Sequence, residues 1–354
     1  MNRNMDETYM QRCLQLAICG SGRVAPNPMV GAVLVHEGRV IGEGWHRAYG
    51  GPHAEVHCLN SVAAADRHLV SQSTMYVSLE PCAHEGKTPP CADLLVRNQI
   101  KEVVIGMRDP FPAVNGKGID KLMDAGIIVR TGVEEKDCRN LNQRFFTFHE
   151  QHRPYVVLKW AQTANGIIAS GNSERLLISG EMSNRIVHRW RTEEMAIMVG
   201  TNTALADDPQ LTPRSWPGKA PVRVVLDREL RLPGTLQLFN DGAPTLVFNE
   251  KKHTLEKGSI PPGVSFYQVG NDASIVHQVL NGLYAAGIQS VLVEGGAQLL
   301  QSFIDESGWD EARVITNTEL HQPEGLRAPS LGACRLIRSE TIQQDIIHYF
   351  QPHT

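Results

Sequence analysis

Between Thr8 and Cys19, apolar residues fall at Met10, Cys13, Leu14, Ala17 and Ile18, the spacing of one helical face. The pattern then changes to short apolar runs. Residues 30–45, VGAVLVHEGRVIGEGW, read as two strands folded about Glu37-Gly38 into a hairpin. A helix is expected over 53–65, a buried strand over 74–80, a helix over 91–100 and a strand over 103–109. A helix over 118–126 and a strand over 127–133 follow. A last helix, 134–149, sets Leu141, Phe145 and Phe148 on one side. Strands alternating with helices predict an α/β layer with crossover connections.

HEQHRP (149–154) is polar and ends in proline, which places a boundary there and gives domains 1–148 and 153–354. The second half opens on a strand, 154–163, and Ser179 is the expected N-cap of a helix reaching Glu194. Strands over 196–200, 222–227, 245–249, 264–269 and 290–294 continue the α/β alternation. A helix over 274–287 ends in glycine, and another follows Gly295-Gly296. Small and polar residues over 199–214, after a buried strand, suit a ligand loop. Past Gly308 no chemistry is assignable, and Phe350 reads as packing.

Composition narrows the function classes. A length of 354 residues suits two domains at about 100–200 residues each. Basic and acidic residues number 34 and 38, for a net charge of -4, and aromatics are 6%. That balance disfavours a protein that tracks a nucleic-acid backbone or stacks its bases. No apolar run reaches the roughly 18 residues of a membrane helix. The first segment, MNRNMDETYMQRCLQLAICG, carries acids and is not a signal peptide. Seven cysteines at irregular spacing suit a reducing cytoplasm. The expectation is a cytoplasmic enzyme for small molecules, without nucleic-acid or membrane partners.

The strongest chemical signal is His53-Ala54-Glu55, then Pro81-Cys82, then Pro90-Cys91. One imidazole and two thiolates make a three-ligand zinc set with a fourth position open to water. Bound Zn²⁺ lowers the pKa of such a water towards neutrality. Glu55, two residues from His53, can shuttle its proton without ligating the metal. This is the H-x-E…P-C-x-x-C arrangement of zinc deaminases, with eight residues between Cys82 and Cys91 in place of two. The competing reading is a closed structural zinc site whose fourth ligand is His57 or His84.

The stretches PNPMVGAV (26–33), HAEVH (53–57), LEPCAHEGKTPPC (79–91) and MRDP (107–110) resemble the deaminase domain of bifunctional riboflavin-biosynthesis enzymes. In that family the long insert between the cysteines is usual. The resemblance implies a cytidine-deaminase-like α/β/α domain acting on a phosphorylated diaminopyrimidinone. It also implies substrate contacts at Asn27, His46 and Lys87; the plain alternatives are a turn asparagine, a surface histidine and a solvated lysine.

In the second half, SVLVEGGAQLLQSFI (290–304) places paired glycines between a strand and a helix, where backbone N–H groups favour anions. Arg191 and Arg214 are candidate phosphate clamps, because a guanidinium binds bidentately. With LKWAQTANG (158–166), these segments resemble the reductase domain of the same enzymes. The resemblance implies a dihydrofolate-reductase-like α/β domain, NADPH as hydride donor and a homo-oligomer. It implies cofactor contacts at Ala161, Thr203, Asp207, Gly295, Gly296, Ala297, Gln298, Leu299, Leu300, Gln301 and Ser302. It implies substrate contacts at Lys159, Arg191, Leu211, Arg214 and Glu294. Two positions depart from the family. Asn165 stands where Asp is usual, which removes a charge, and Leu177 stands where Trp is usual, which removes a flat aromatic surface. A deaminase joined to a scaffold-only second domain is therefore the competing expectation.

Overall fold

A computed structural model of the chain describes residues 3–84, 89–112, 114–171 and 176–353. It divides into two compact units, 1–151 and 152–354.

In the first unit, α1 (Arg3–Ile18) precedes the hairpin of β1 (Gly31–His36) and β2 (Arg39–Trp45). The turn has positive φ at Glu37 and Gly38, the primed geometry that matches the twist of paired strands. Next come α2 (Ala54–Ser61), a 3₁₀ helix (Ala64–Gln72), β3 (Thr74–Leu79), α3 (Cys91–Arg97), β4 (Glu102–Met107), α4 (Lys117–Asp124) and β5 (Ile128–Thr131). The sheet order is β2-β1-β3-β4-β5. Pairs β2/β1 and β1/β3 are antiparallel; β3/β4 and β4/β5 are parallel, joined through α3 and α4.

Alternation along the strands builds two cores. Ala32, Leu34, Met75 and Val77 pack with Ala54, Cys58, Ala92 and Leu95. Val33, Val35 and Tyr76 face the other way, onto Met10, Cys13 and Leu14. Helices therefore cover both sheet faces. The expected helix 134–149 is two helices, α5 (Glu135–Leu141) and α6 (Gln143–Gln151). The break is at Asn142, whose buried amide accepts from Met29 N (2.8 Å) and donates to Met29 O (2.9 Å). Its tertiary partner displaces helical continuity and pins the loop that carries Asn27.

The second unit contains β6 (Tyr155–Thr163), β7 (Ile167–Ser170), α7 (Glu181–Glu193), β8 (Ala196–Gly200), α8 (Thr201–Asp207), β9 (Val222–Leu226), β10 (Thr245–Asn249) and β11 (Val264–Gln268). After these come α9 (Ile275–Ala285), β12 (Ser290–Val293), α10 (Ala297–Asp305), β13 (Glu311–Asn317), β14 (Gly325–Arg327), β15 (Cys334–Ile342) and β16 (Asp345–Pro352). Nine strands run in the order β11-β10-β9-β8-β12-β6-β13-β16-β15. The pairs from β11 to β13 are parallel, and the C-terminal hairpin adds antiparallel pairs β13/β16 and β16/β15. Helices α9 and α10 bury Val279, Leu283, Leu300 and Phe303 on one face; Val187 and Trp190 of α7 cover part of the other.

Two expectations need correction here. Ser179 does not cap α7: the N-cap is Gly180, whose N–H donates to Asp345 Oδ2 (2.8 Å), while Ser179 Oγ bonds Asn184. The anion comes from a strand 165 residues away. The 199–214 loop begins with a helix, α8, whose Ala204 is buried.

Gly44 of β2 lies against the backbone of α2, where an added Cβ would overlap Ala54 O, Cys58 N and His57 C. Gly44→Ala should push α2 off the sheet and cost about 1–3 kcal/mol or more. An unchanged urea-unfolding midpoint would show that α2 has slack.

Candidate functional site

In the first unit His53 is the N-cap of α2, Glu55 lies in its first turn, Cys82 follows β3 and Cys91 opens α3. Their positions come from element ends, so the sheet sets the spacing. His53 Nδ1 lies 3.5 Å from Cys82 Sγ and 3.3 Å from Cys91 Sγ. A tetrahedral zinc with Zn–N of about 2.0–2.1 Å and Zn–S of about 2.3 Å has an N···S edge of about 3.6 Å. The donor set and its edges fit that ion. All three ligand atoms lie within 4.8 Å of one another, and among the described residues His57 and His84 do not join the group. The arrangement is three-liganded, with a position left for a reactant.

The electrostatics favour metal uptake. Hydrogen bonds from Cys91 and His53 pull the Cys82 thiol down to about 4, and the Cys91 thiol is correspondingly pushed up. One proton leaves this pair readily, and a cation displaces the other. Glu55 is 3% exposed, and burial raises its carboxyl group above the usual range. The charges of His53 and Cys82 act on it directly, which sets it beside the triad.

Cys82 is held from behind by Glu80, whose role the sequence reading missed. The Glu80 carboxylate accepts backbone N–H groups of Asp109 (3.2 Å), Gly116 (3.0 Å), Gly118 (2.9 Å) and Ile119 (3.3 Å). It thereby neutralises the N-terminus of α4 and ties β3, β4 and α4 together. A Cβ at Gly118 would overlap the Pro81 carbonyl oxygen, so backbone packs on backbone here. Asp109, buried nearby, is pushed up to about 7 by desolvation.

Asn27 and His46 lie beside the triad. The His46 and His53 rings meet edge-on at 5.3 Å. His46 Nδ1 faces the Pro52 carbonyl (3.0 Å), so it carries the proton, and Nε2 accepts from Asn27 Nδ2 (3.2 Å). His46 is 2% exposed, a buried side chain and not a surface one, and burial lowers its pKa. Lys87 lies outside the described residues.

The second unit has an open cleft of about 1280 Å³ at the carboxyl ends of β8 and β12. Parallel sheets place ligands at this edge. At one end Arg191 grips Glu294 with two bonds, Nε to Oε1 (2.7 Å) and Nη2 to Oε2 (2.8 Å). Lys159 Nζ lies 3.7 Å from Glu294 Oε2. Burial alone would raise the Glu294 pKa, but Arg191 and Lys159 hold it at about 2. Burial lowers the Lys159 pKa in turn. Arg191 Nη1 and His188 Nδ1 both donate to the Thr212 carbonyl, at 3.2 and 3.1 Å.

At the other end α8 and α10 begin from Gly200 and Gly296. Gly296 has φ +76°, and a Cβ on Gly295 would lie 2.9 Å from Thr203 Cγ2. The paired glycines thus serve close packing of the two helix starts as well as open N–H groups.

Lys159, Ala161, Arg191, Leu211, Arg214, Glu294, Thr203 and Asp207 line the cleft, as do Gly295, Gly296, Ala297, Gln298, Leu299, Leu300 and Ser302. Leu299 and Leu300 are mainly core, at 8% and 1% exposed. Gln301 points elsewhere: its amide bonds Asp305 (2.7 Å) and the Ser330 backbone, on the far side of α10. Helical geometry turns one residue of an unbroken run away from the shared face. Leu177 sits on the cleft, 77% exposed. Asn165 is not among the lining residues. It accepts from Thr163 Oγ1 (2.7 Å) and Gln322 N (3.2 Å) and donates to Gln322 O (2.7 Å), and an aspartate cannot make that last bond. His188 escaped the sequence reading, although it sits one helical turn before Arg191.

Comparison with known proteins agrees with both halves. Residues 3–107 match the cytidine and deoxycytidylate deaminase zinc-binding region, and residues 154–346 match the RibD C-terminal domain. The riboflavin biosynthesis protein RibD of Aquifex aeolicus is 38% identical over 99% of both chains. That of Bacillus amyloliquefaciens is 39% identical over 87% of this chain and 83% of its own. A Thermotoga maritima structure, described as a diaminohydroxyphosphoribosylaminopyrimidine deaminase/5-amino-6-(5-phosphoribosylamino)uracil reductase, superposes with a TM-score of 0.87 at 37% identity over 99% of each chain. Acinetobacter baumannii RibD gives 0.87 at 33% over all of both chains. With a zinc-deaminase half, a reductase half and full-length similarity to these proteins, the chain belongs to the RibD family of bifunctional riboflavin-biosynthesis enzymes.

Proposed function

We propose that the first half deaminates 2,5-diamino-6-(5-phosphoribosylamino)pyrimidin-4(3H)-one to 5-amino-6-(5-phosphoribosylamino)uracil. The second half then reduces the ribosyl group with NADPH to give 5-amino-6-(5-phosphoribitylamino)uracil. The observation that carries this reading is the three-ligand set with the buried Glu55 carboxyl group against it. The substrates and the preference for NADPH rest on the family. The reading extends to a cytoplasmic homo-oligomer acting on small molecules, on composition and family alone. No helix of the described residues is long and apolar enough to cross a membrane.

His53, Cys82 and Cys91 hold the zinc. When bound it supplies the Lewis acidity that activates water at neutral pH. Glu55 takes a proton from that water and returns it to the departing amine. Its raised pKa suits a group that must both accept and donate. Donation from Asn27 to His46 leaves the Asn27 amide oxygen as an acceptor for a ring N–H. Lys87 is the third substrate contact of this reading.

In the reductase, NADPH when bound supplies the hydride. The starts of α8 and α10, with Ala161, Thr203 and Asp207 beside them, receive the cofactor, whose diphosphate suits open N–H groups. Lys159, Arg191, Leu211, Arg214 and Glu294 form the substrate end, where Arg191 and Arg214 meet the phosphate. The cleft is complete in these groups, and Asn165 is occupied in a turn, which supports a working reductase over a scaffold.

Mass spectrometry of the products made from the diaminopyrimidinone phosphate and NADPH should show the ribitylamino-uracil. A reaction that halts at the ribosylamino-uracil would leave a deaminase alone. Glu55→Gln should keep its zinc, measured by elemental analysis, while ammonia release falls by about 10²–10⁴. Normal release would remove Glu55 from the chemistry. Glu294→Gln should leave two buried cations without a counter-charge and cost the second unit about 3–5 kcal/mol at neutral pH. Because the folded pKa of about 2 lies below the free value of 4.5, Glu294 contributes fully above pH 4.5 and loses its effect towards pH 2. The stability gap between wild type and variant in urea should therefore close on acidification; a constant gap would deny the linkage.

A further inference from the structure

His188 lines the same cleft as Arg191 and Arg214, half-buried on α7 one turn before Arg191. Its Nδ1 faces a carbonyl oxygen, Thr212 O, which can only accept; Nδ1 must therefore carry a proton. A neutral ring then has a bare lone pair at Nε2, and among the described residues the hydrogen bond of this ring is the one at Nδ1. Arg191 donates to the same carbonyl, so the imidazole and the guanidinium are held side by side. Arg214 follows two residues later on that segment. The groups that act on the ring are Arg191 from its own helix, Arg214 from the Thr212 segment and Glu294 from the end of β12.

We propose that His188 Nε2 is a third contact for the substrate's phosphate, beside Arg191 and Arg214, and that forming it takes up one proton. This rests on the reading that these two arginines hold the phosphate. The proton follows from the donor count. Phosphate oxygens of the dianion are acceptors, and so is the Nε2 of a neutral ring whose Nδ1 is committed to Thr212. Two acceptors repel, and the contact closes only when one proton enters, on the ring or on the phosphate. Burial, with Arg191 and Arg214, keeps His188 below the usual imidazole range in the empty cleft, so the proton is absent beforehand. Two dianion charges beside the ring reverse that preference.

The test is calorimetric titration of the full chain with ribose 5-phosphate near pH 8, in two buffers of different ionisation enthalpy. There the second ionisation of the phosphate, near pH 6, is complete. Wild type should take up about one proton per ligand, and its affinity should fall as pH rises, by about tenfold per unit at the limit. His188→Gln, whose amide donates without taking up a proton, should lose the uptake and the pH slope. Arg214→Ala serves as the benchmark for the phosphate position. If Arg214→Ala weakens binding while His188→Gln matches wild type in affinity and uptake, the phosphate is in place and the His188 contact is refuted. If neither variant changes binding, the phosphate lies elsewhere, and the arginine reading falls with the proposal. The wild-type proton count needs no variant: a value of zero overturns the proposal whether or not His188→Gln folds.

Discussion

A parallel sheet covered by helices on both faces leaves ligands only the ends of its strands. That constraint governs both halves of this chain. In the first unit β3 delivers Glu80 and Cys82 to the sheet edge, and β4 delivers Asp109 to the same place. In the second unit β8 ends at Gly200 and β12 runs into Glu294 and the paired glycines. Glu80, Cys82, Asp109 and Glu294 thus lie one to three residues beyond a buried strand whose register is fixed by its neighbours, while His53, Cys91 and Arg191 come from helices. The chemistry differs between the halves; the means of positioning does not.

Burying charge at a strand end is costly unless a partner is built in. The two units answer this in different ways. Glu80 is surrounded by backbone N–H groups, whose dipoles cannot swing away or change protonation. Glu294 is met by the side-chain cations of Arg191 and Lys159, which carry whole charges. The first solution suits a frame for metal ligands that should not move. The second leaves cations as well as a carboxylate at the wall of the cleft.

Much of this was legible in the chain. The Glu37-Gly38 hairpin, helices α1 to α4, and strands β6 and β8 to β12 follow from periodicity and turn chemistry, whereas β7 went unread. The metal group follows from H-A-E and two Pro-Cys pairs, because few other functions need that set. What escaped was decided by distant partners. Asn142 divides α5 from α6 for the sake of Met29, and Asp345 takes the capping role expected of Ser179. Gln301 sits within a matched run, yet its azimuth on α10 carries it to Ser330. Glu80 stood inside a quoted motif, but a carboxylate that receives four peptide groups cannot be told from a solvated one without the fold. The C-terminal strands passed unread for a similar reason. β15 is an exposed edge with charges along it, and its identity as a strand depends on β16 beside it.

The clamp on Glu80 also fixes where the first thiol stands. Cys82 is anchored to α4 through its preceding peptide, and Cys91 belongs to the first turn of α3, with its N–H directed at Cys82 Sγ (3.4 Å). The two anchors also meet each other, since the Cys82 carbonyl accepts from Ala92 N (3.1 Å) in the first turn of α3, which Pro90 caps. Both thiols therefore hang on one closed backbone circuit, and an arriving ion meets a pair already spaced for it.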